Sequence, residues 1–226
     1  MRKLLFLHGA LGAKEQFKRI IDELYDFECF SFNFSGHGGN PFEVDFSIEQ
    51  FSKELKDYIK NNNLEGIDIF GYSMGGYVAM NLARTEPDLI NSIFTLGTML
   101  DFGKERINNE IKMMNPDIIE QKVPKFAEVL RERHQPNDWK ILLKRTSEMM
   151  INLSEKAPIL ESDFRSTDKR ILFGIGDRDT TASLSATSEI FGLVKNSGLL
   201  VIPNTYHPIE KVDLNRILFE IRSFVK

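Results

Sequence analysis

Gly71-Tyr72-Ser73-Met74-Gly75-Gly76 sets a serine between a run that reads as a short buried strand, Gly66-Ile67-Asp68-Ile69-Phe70, and one that reads as the first turns of a helix, Tyr77 to Ala83. Glycines on both sides let the backbone turn sharply and approach its neighbours closely, so the Ser73 hydroxyl would stand out at the strand end. That is the signature of a nucleophile elbow. A serine that merely caps the following helix shares part of the pattern, so the partners of Ser73 decide its meaning.

A serine hydroxyl attacks at neutral pH only when a base takes its proton, and imidazole has the suitable pKa. Of the four histidines, His8 adjoins a glycine turn after the first strand and reads as a brace, and His37 lies in the glycine-rich loop after the second. His134, within Arg131-Glu132-Arg133-His134-Gln135, reads as a solvated surface residue. His207 alone follows the last strand and is the candidate base. An imidazole that gains a proton while staying oriented needs a carboxylate on its other nitrogen, and Gly176-Asp177-Arg178-Asp179 offers two. Asp179, three residues into the loop, is favoured, with Asp177 as the alternative. The developing oxyanion needs fixed donors: the Met74 N–H directly after the nucleophile, and one from His8-Gly9-Ala10-Leu11-Gly12, best placed at Ala10.

These segments must be brought to one edge by the fold. Strand-like runs recur near 3–7, 29–34, 67–70, 92–97, 171–175 and 198–202, with helical spacings near 14–25, 47–62, 75–85, 183–192 and 209–225. Such alternation argues for an α/β fold with a mostly parallel sheet and helices on both faces. In that arrangement the loops past the carboxyl ends of the strands converge on one rim, where ligands bind. From Thr98 to about Asp168 the rhythm breaks into amphipathic stretches rich in methionine and charge, interrupted by Pro116, Pro124, Pro136 and Pro158. This predicts a helical cap at 99–168 inserted between core segments 1–98 and 169–226.

A chain of 226 residues, 42% hydrophobic and 27% charged, suits a single domain with one substantial core. Its net charge of −4 gives no basic field for nucleic acid or an anionic membrane. The apolar run after Arg2-Lys3 stops at His8-Gly9 and reads as a first strand, not a signal peptide. No stretch approaches the roughly 18 apolar residues of a membrane span, so a soluble, cytoplasmic protein is the expectation. The lone Cys29, in Phe27-Glu28-Cys29-Phe30, reads as a buried structural thiol. There is no phosphate-loop or dinucleotide pattern and no H-E-x-x-H pair, so neither cofactor nor metal is expected.

On His8-Gly9-Ala10, Gly36-His37-Gly38, the Gly71–Gly76 elbow, Asp179 and His207, the chain resembles the α/β-hydrolase superfamily, in its small, helically capped branch. The resemblance spans nearly the whole chain. It implies an α/β-hydrolase fold, a Ser73-His207-Asp179 triad, and an oxyanion hole from the Ala10 and Met74 amides. It also implies a serine hydrolase acting on a small molecule, foremost a carboxylesterase cleaving a small or medium acyl ester through an acyl-enzyme. Two departures stand out: the first strand begins at residue 2, so a sheet of about six strands without the family's amino-terminal hairpin is expected, and Asp179 to Ser183 lacks the proline frequent there. Serine in place of aspartate at 73 argues against haloalkane dehalogenase or epoxide hydrolase chemistry.

Two alternatives accompany the esterase. The chain also resembles the menaquinone-pathway SHCHC synthase, a lyase, but carries Tyr77 where that family has an arginine after the paired glycines. A catalytically silent ligand receptor could keep the same constellation. Tyr77, Phe102 and Trp139 are candidate substrate contacts, with Met113, Met114, Phe126, Met149 and Met150 as further apolar lining. The competing reading, given more weight, is that such residues pack the cap onto itself or onto the sheet.

Overall fold

The computed structural model describes residues 1–42 and 45–225. In chain order the elements are β1 (Arg2–Leu7), α1 (Lys18–Ile21), β2 (Phe27–Ser31), α2 (Ile48–Asn61), β3 (Ile67–Tyr72), α3 (Met74–Thr85), β4 (Ile90–Leu96), α4 (Lys104–Met113), α5 (Pro116–Lys122), α6 (Pro124–His134), α7 (Trp139–Glu155), α8 (Glu161–Ser166), β5 (Arg170–Gly176), α9 (Leu184–Leu193), β6 (Ser197–Ile202) and α10 (Leu214–Phe224). The strands form one six-stranded sheet in the order β2-β1-β3-β4-β5-β6, and every pairing is parallel. This is the α/β architecture expected from the alternating pattern.

Side chains alternate across a strand, and here the alternation sorts residues into two cores. Leu5, Leu7, Ile67, Ile69 and Ile93 face one way and pack with α2, α3 and α7. Leu4, Phe6, Phe70, Phe94 and Leu96 face the other way and pack with α1 and α10. The central strand β3 is buried along its whole length, as a parallel strand covered on both faces must be.

Several boundaries differ from the sequence reading. The expected helix at 14–25 is a 3-10 turn over Lys14–Phe17 followed by the short α1, and the one at 209–225 divides into a 3-10 turn at Ile209–Lys211 and α10, whose N-terminus Asp213 caps. Five helices, α4 to α8, lie between β4 and β5. Pro116 and Pro124 hold the first positions of α5 and α6, where a missing N–H costs no helical hydrogen bond. Cys29, expected to be buried, is only half-buried because β2 is an edge strand. Among the described residues no helix is long and apolar enough to cross a membrane.

His134 is also corrected: it is fully buried, not solvated. Its ring centroid lies 5.8 Å from that of His37, which lies 5.0 Å from that of His8. Phe34 N–H donates to His8 Nε2 at 3.2 Å while His8 Nδ1 pairs with the Gly9 carbonyl at 2.8 Å. Burial, reinforced in both by Arg133 and in His8 also by His134, pushes His8 and His134 down to about 4, and burial with the charge of neighbouring His8 holds His37 well below its ordinary value.

Imidazoles titrate near ~6.5 in the unfolded chain, so below that pH the unfolded state binds protons that the folded state refuses. The folded pKa values are depressed, so the stability they confer is complete above ~6.5 and is lost as pH falls toward about 4. The thermal midpoint should therefore fall steadily across this window, and His134→Gln should make the fall shallower. An equal slope in both proteins, measured by circular dichroism melts, would rule out titration of His134 as a source.

Candidate active site

Ser73 joins β3 to α3 with φ 51° and ψ −120°, a conformation that L-residues rarely adopt. Its neighbours fix it there. Ser73 N–H donates to the Leu96 carbonyl at 2.9 Å, while the Ser73 carbonyl accepts from Gly76 N–H at 3.1 Å and from Thr98 Oγ1 at 3.0 Å. The flanking glycines are required by close approach. A Cβ on Gly71 would lie 2.5 Å from Gly76 Cα, and one on Gly75 would lie 2.4 Å from the Leu7 carbonyl oxygen. Strand, helix and β1 thus meet at backbone contact directly beneath the serine.

The loops after β5 and β6 bring in the other two groups. His207 Nδ1–H donates to Asp179 Oδ2 at 2.7 Å. Asp179 Oδ1 accepts from the N–H groups of Thr181 at 2.9 Å and Ala182 at 2.8 Å, so both carboxylate oxygens are engaged. The Asp179 side chain is 2% exposed and that of His207 18%, which leaves the imidazole reachable and its partner dry. Asp177, the alternative, is exposed and accepts from Thr205 N–H at 3.1 Å, bracing the turn that leads to His207. Tyr72, which sequence reasoning passed over, donates its hydroxyl to the His207 carbonyl at 3.1 Å and lies ring to ring with the imidazole at 5.3 Å. Its position directly before Ser73 on the central strand was the available signal.

Gly9 to Gly12 form a tight turn closed by Gly12 N–H to the Gly9 carbonyl at 3.0 Å, with Leu11 left-handed at φ 60°. Among the described residues neither Ala10 N–H nor Met74 N–H donates to another protein group. Both residues border the same cavity as Ser73 and His207. Ser73 Oγ makes no hydrogen bond among the described residues, and the cavity that it borders is bordered by His207 as well.

The cavity measures about 610 Å³ and is lined on its far side by Met99, Phe102, Met113, Met114, Met149 and Met150. The apolar residues between β4 and β5 thus do more than pack on one another, although packing was the weightier expectation. Tyr77 and Phe102 border the cavity edge to face at 5.0 Å. Trp139 does not. It sits at the start of α7 in a separate apolar cluster with Ile119, Ala127, Leu130 and Leu143, because the face of α7 that carries it turns toward α5 and α6. Polar groups that the sequence reading did not single out stand at the rim. Arg106 donates to the carbonyls of Thr180 and Thr181, and Glu110 is held above the usual carboxylate range by burial.

Residues 3–158 match the sequence model of a family described as the alpha/beta hydrolase fold. The chain is 25% identical to the sn-1-specific diacylglycerol lipase ABHD11 of Mus musculus over 249 aligned positions, covering 98% of this chain and 80% of that protein. It is 22% identical to ethanol acetyltransferase 1 of Wickerhamomyces anomalus over 144, covering 61% of this chain and 34% of that protein. The chain spans about a third to a half of the length of several such curated relatives. A crystal structure from work on carboxylesterases of the thaumarchaeon Nitrososphaera gargenis superposes with a TM-score of 0.80 at 14% identity, covering 99% of this chain and 90% of that one.

The hydrogen bond between His207 and Asp179 should give a downfield imidazole N–H proton resonance in water. It should vanish in His207→Gln and Asp179→Ala and survive in Asp177→Asn. Loss in Asp177→Asn with survival in Asp179→Ala would reverse the assignment of the two aspartates.

Proposed function

Because the chain belongs to the alpha/beta hydrolase fold family, we propose that it is a serine carboxylesterase cleaving small or medium acyl esters through an acyl-enzyme on Ser73. Ser73 Oγ attacks the ester carbonyl carbon as His207 Nε2 takes its proton. Asp179, on Nδ1, fixes the tautomer and stabilises the imidazolium. The carbonyl oxygen, now anionic, accepts from the N–H groups of Met74 and Ala10, which are aimed without needing to reorganise. Collapse breaks the bond from carbon to the alcohol oxygen, and His207 returns the proton to the departing alcohol. Water then adds to the acyl carbon with His207 again as base, the bond to Oγ breaks, and carboxylate and free serine result.

The Asp179–His207 pair, sharing a cavity with a serine held in a strained turn and with two uncommitted N–H groups, supports this reading. Esterase and lipase relatives accord with it. Residues 99–168 act here as a cap: their methionines and Phe102 offer a deformable apolar wall for the acyl chain, a role suited to flexible thioethers. No cofactor takes part, and the substrate is a small molecule.

A fluorophosphonate probe should label the protein stoichiometrically, and Ser73→Ala should abolish the labelling. On p-nitrophenyl esters of increasing chain length, His207→Ala should lower kcat by about 10³-fold or more with the fold intact. A folded protein that resists the probe yet binds a ligand tightly would be a receptor. Elimination from a carboxylated substrate with no ester turnover would make it a lyase.

A further inference from the structure

Leu11 is a non-glycine residue held left-handed at the centre of the turn that presents the Ala10 N–H. A leucine relaxes out of that region unless something outside the turn holds it. Two donors do so, both from the last turn of α6. Arg133 Nη1 and His134 Nε2–H each reach the Leu11 carbonyl at 3.0 Å. The turn's own closure, Gly12 N–H to the Gly9 carbonyl, leaves the Leu11 carbonyl free for both.

Each of these donors is itself fixed. His134 Nδ1 accepts from Gly38 N–H at 3.0 Å, which sets the proton on Nε2 and ties the ring to the loop after β2. Arg133 Nη2 reaches Glu210 Oε1 at 3.1 Å, and Gln16 Nε2 reaches the same oxygen at 2.7 Å. Glu210 lies three residues after His207. Gln16 Oε1 in turn accepts from Ala13 N–H at 2.9 Å, just past the turn. One end of α6 therefore clasps the loops after β1, β2 and β6 together. The Arg133 side chain is only 19% exposed, and its bond to the Leu11 carbonyl is partly buried, whereas the bonds to Glu210 lie at the surface.

We infer that Arg133 and His134 are positioning residues for the oxyanion hole, holding the Leu11 carbonyl so that the Ala10 N–H stays aimed at the carbonyl oxygen of the bound ester. The inference rests on the esterase reading. It assigns α6 a part in transition-state stabilisation beyond enclosing the acyl chain. Arg133 also borders the cavity, but its hydrogen bonds go to Leu11 and Glu210 and those of His134 to Leu11 and Gly38, none to Ser73 or His207. Without the clasp Leu11 relaxes, the peptide planes of the turn rotate, and one of the two oxyanion donors is lost while the acyl pocket remains.

The test compares Arg133→Met, which keeps the apolar stem, with His134→Leu and His134→Gln, the last able both to donate and to accept. The readouts are kcat and KM on a p-nitrophenyl ester, affinity for a trifluoromethyl ketone whose adduct carries the tetrahedral oxyanion, and the thermal midpoint. Arg133→Met and His134→Leu should each lower kcat by about 10- to 100-fold, with a parallel loss of trifluoromethyl ketone affinity and KM within about twofold. His134→Gln should recover most of that loss. Should His134→Leu fail to fold, Arg133→Met and His134→Gln still decide the matter. Raised KM with unchanged kcat, or a lowered thermal midpoint with unchanged ketone affinity, would make the contact purely structural and overturn the inference. A wild-type protein that neither takes the fluorophosphonate nor turns over an ester would remove the esterase reading and this inference together, whereas failure in the variants of an active enzyme removes only the latter.

Discussion

A backbone collision avoided by glycine governs this molecule. β3 and α3 approach until Gly71 and Gly76 touch, while Gly75 lies against the carbonyl of Leu7 on β1. No side chain fits at these points, so the chain reverses from strand to helix within one residue, and that residue is Ser73. Its unfavourable dihedral angles persist because hydrogen bonds from both flanks over-determine them. The same crossing requires β3 to be central, with β1 and β4 as its partners, as the sheet order has it. A parallel sheet of this order then delivers the loops after β1, β5 and β6 to the side on which the serine emerges.

Electrostatics separates His207 from the other three histidines. His8, His37 and His134 are fully buried, pair with backbone groups and have no carboxylate partner among the described residues, so burial keeps them neutral. They are built to join loops, not to exchange protons. His207 instead keeps access to the cavity and has Asp179 on its far nitrogen. The distinction is one of surroundings, since all four are the same side chain and three of them adjoin the rim.

How much of this was legible depended on range. The elbow, the order of Ser73, Asp179 and His207, and the six strands follow from local pattern, because each is set by neighbours within a few residues. The choice between Asp177 and Asp179 needed coordinates: both lie in one turn, and only the path of the next loop decides which faces His207. Trp139 was misplaced because helical spacing reveals a buried face but not which surface covers it. His134 was misread from its charged neighbours, although Ala127 and Leu130 stand seven and four residues before it on one helical face, and that spacing carried the signal. The Tyr72 hydrogen bond to His207 spans 135 positions, so the sequence marks Tyr72 only by its place beside Ser73 and says nothing of its partner.

The helices between β4 and β5 divide two tasks between kinds of side chain. The methionines of this segment, and Phe102 just before α4, line the cavity, where on the esterase reading such flexible apolar groups adapt to a guest at little cost. Their cationic and imidazole groups grip backbone carbonyls of the core loops instead: Arg106 those of Thr180 and Thr181, Arg133 and His134 that of Leu11. A carbonyl offers no sequence information, so these grips tolerate change in the loop residues they hold while fixing loop shape. Apolar lining can therefore vary with the guest, provided the carbonyl grips stay. On the esterase reading, selectivity and the geometry of the rim are in this way carried by different side chains of the segment between β4 and β5.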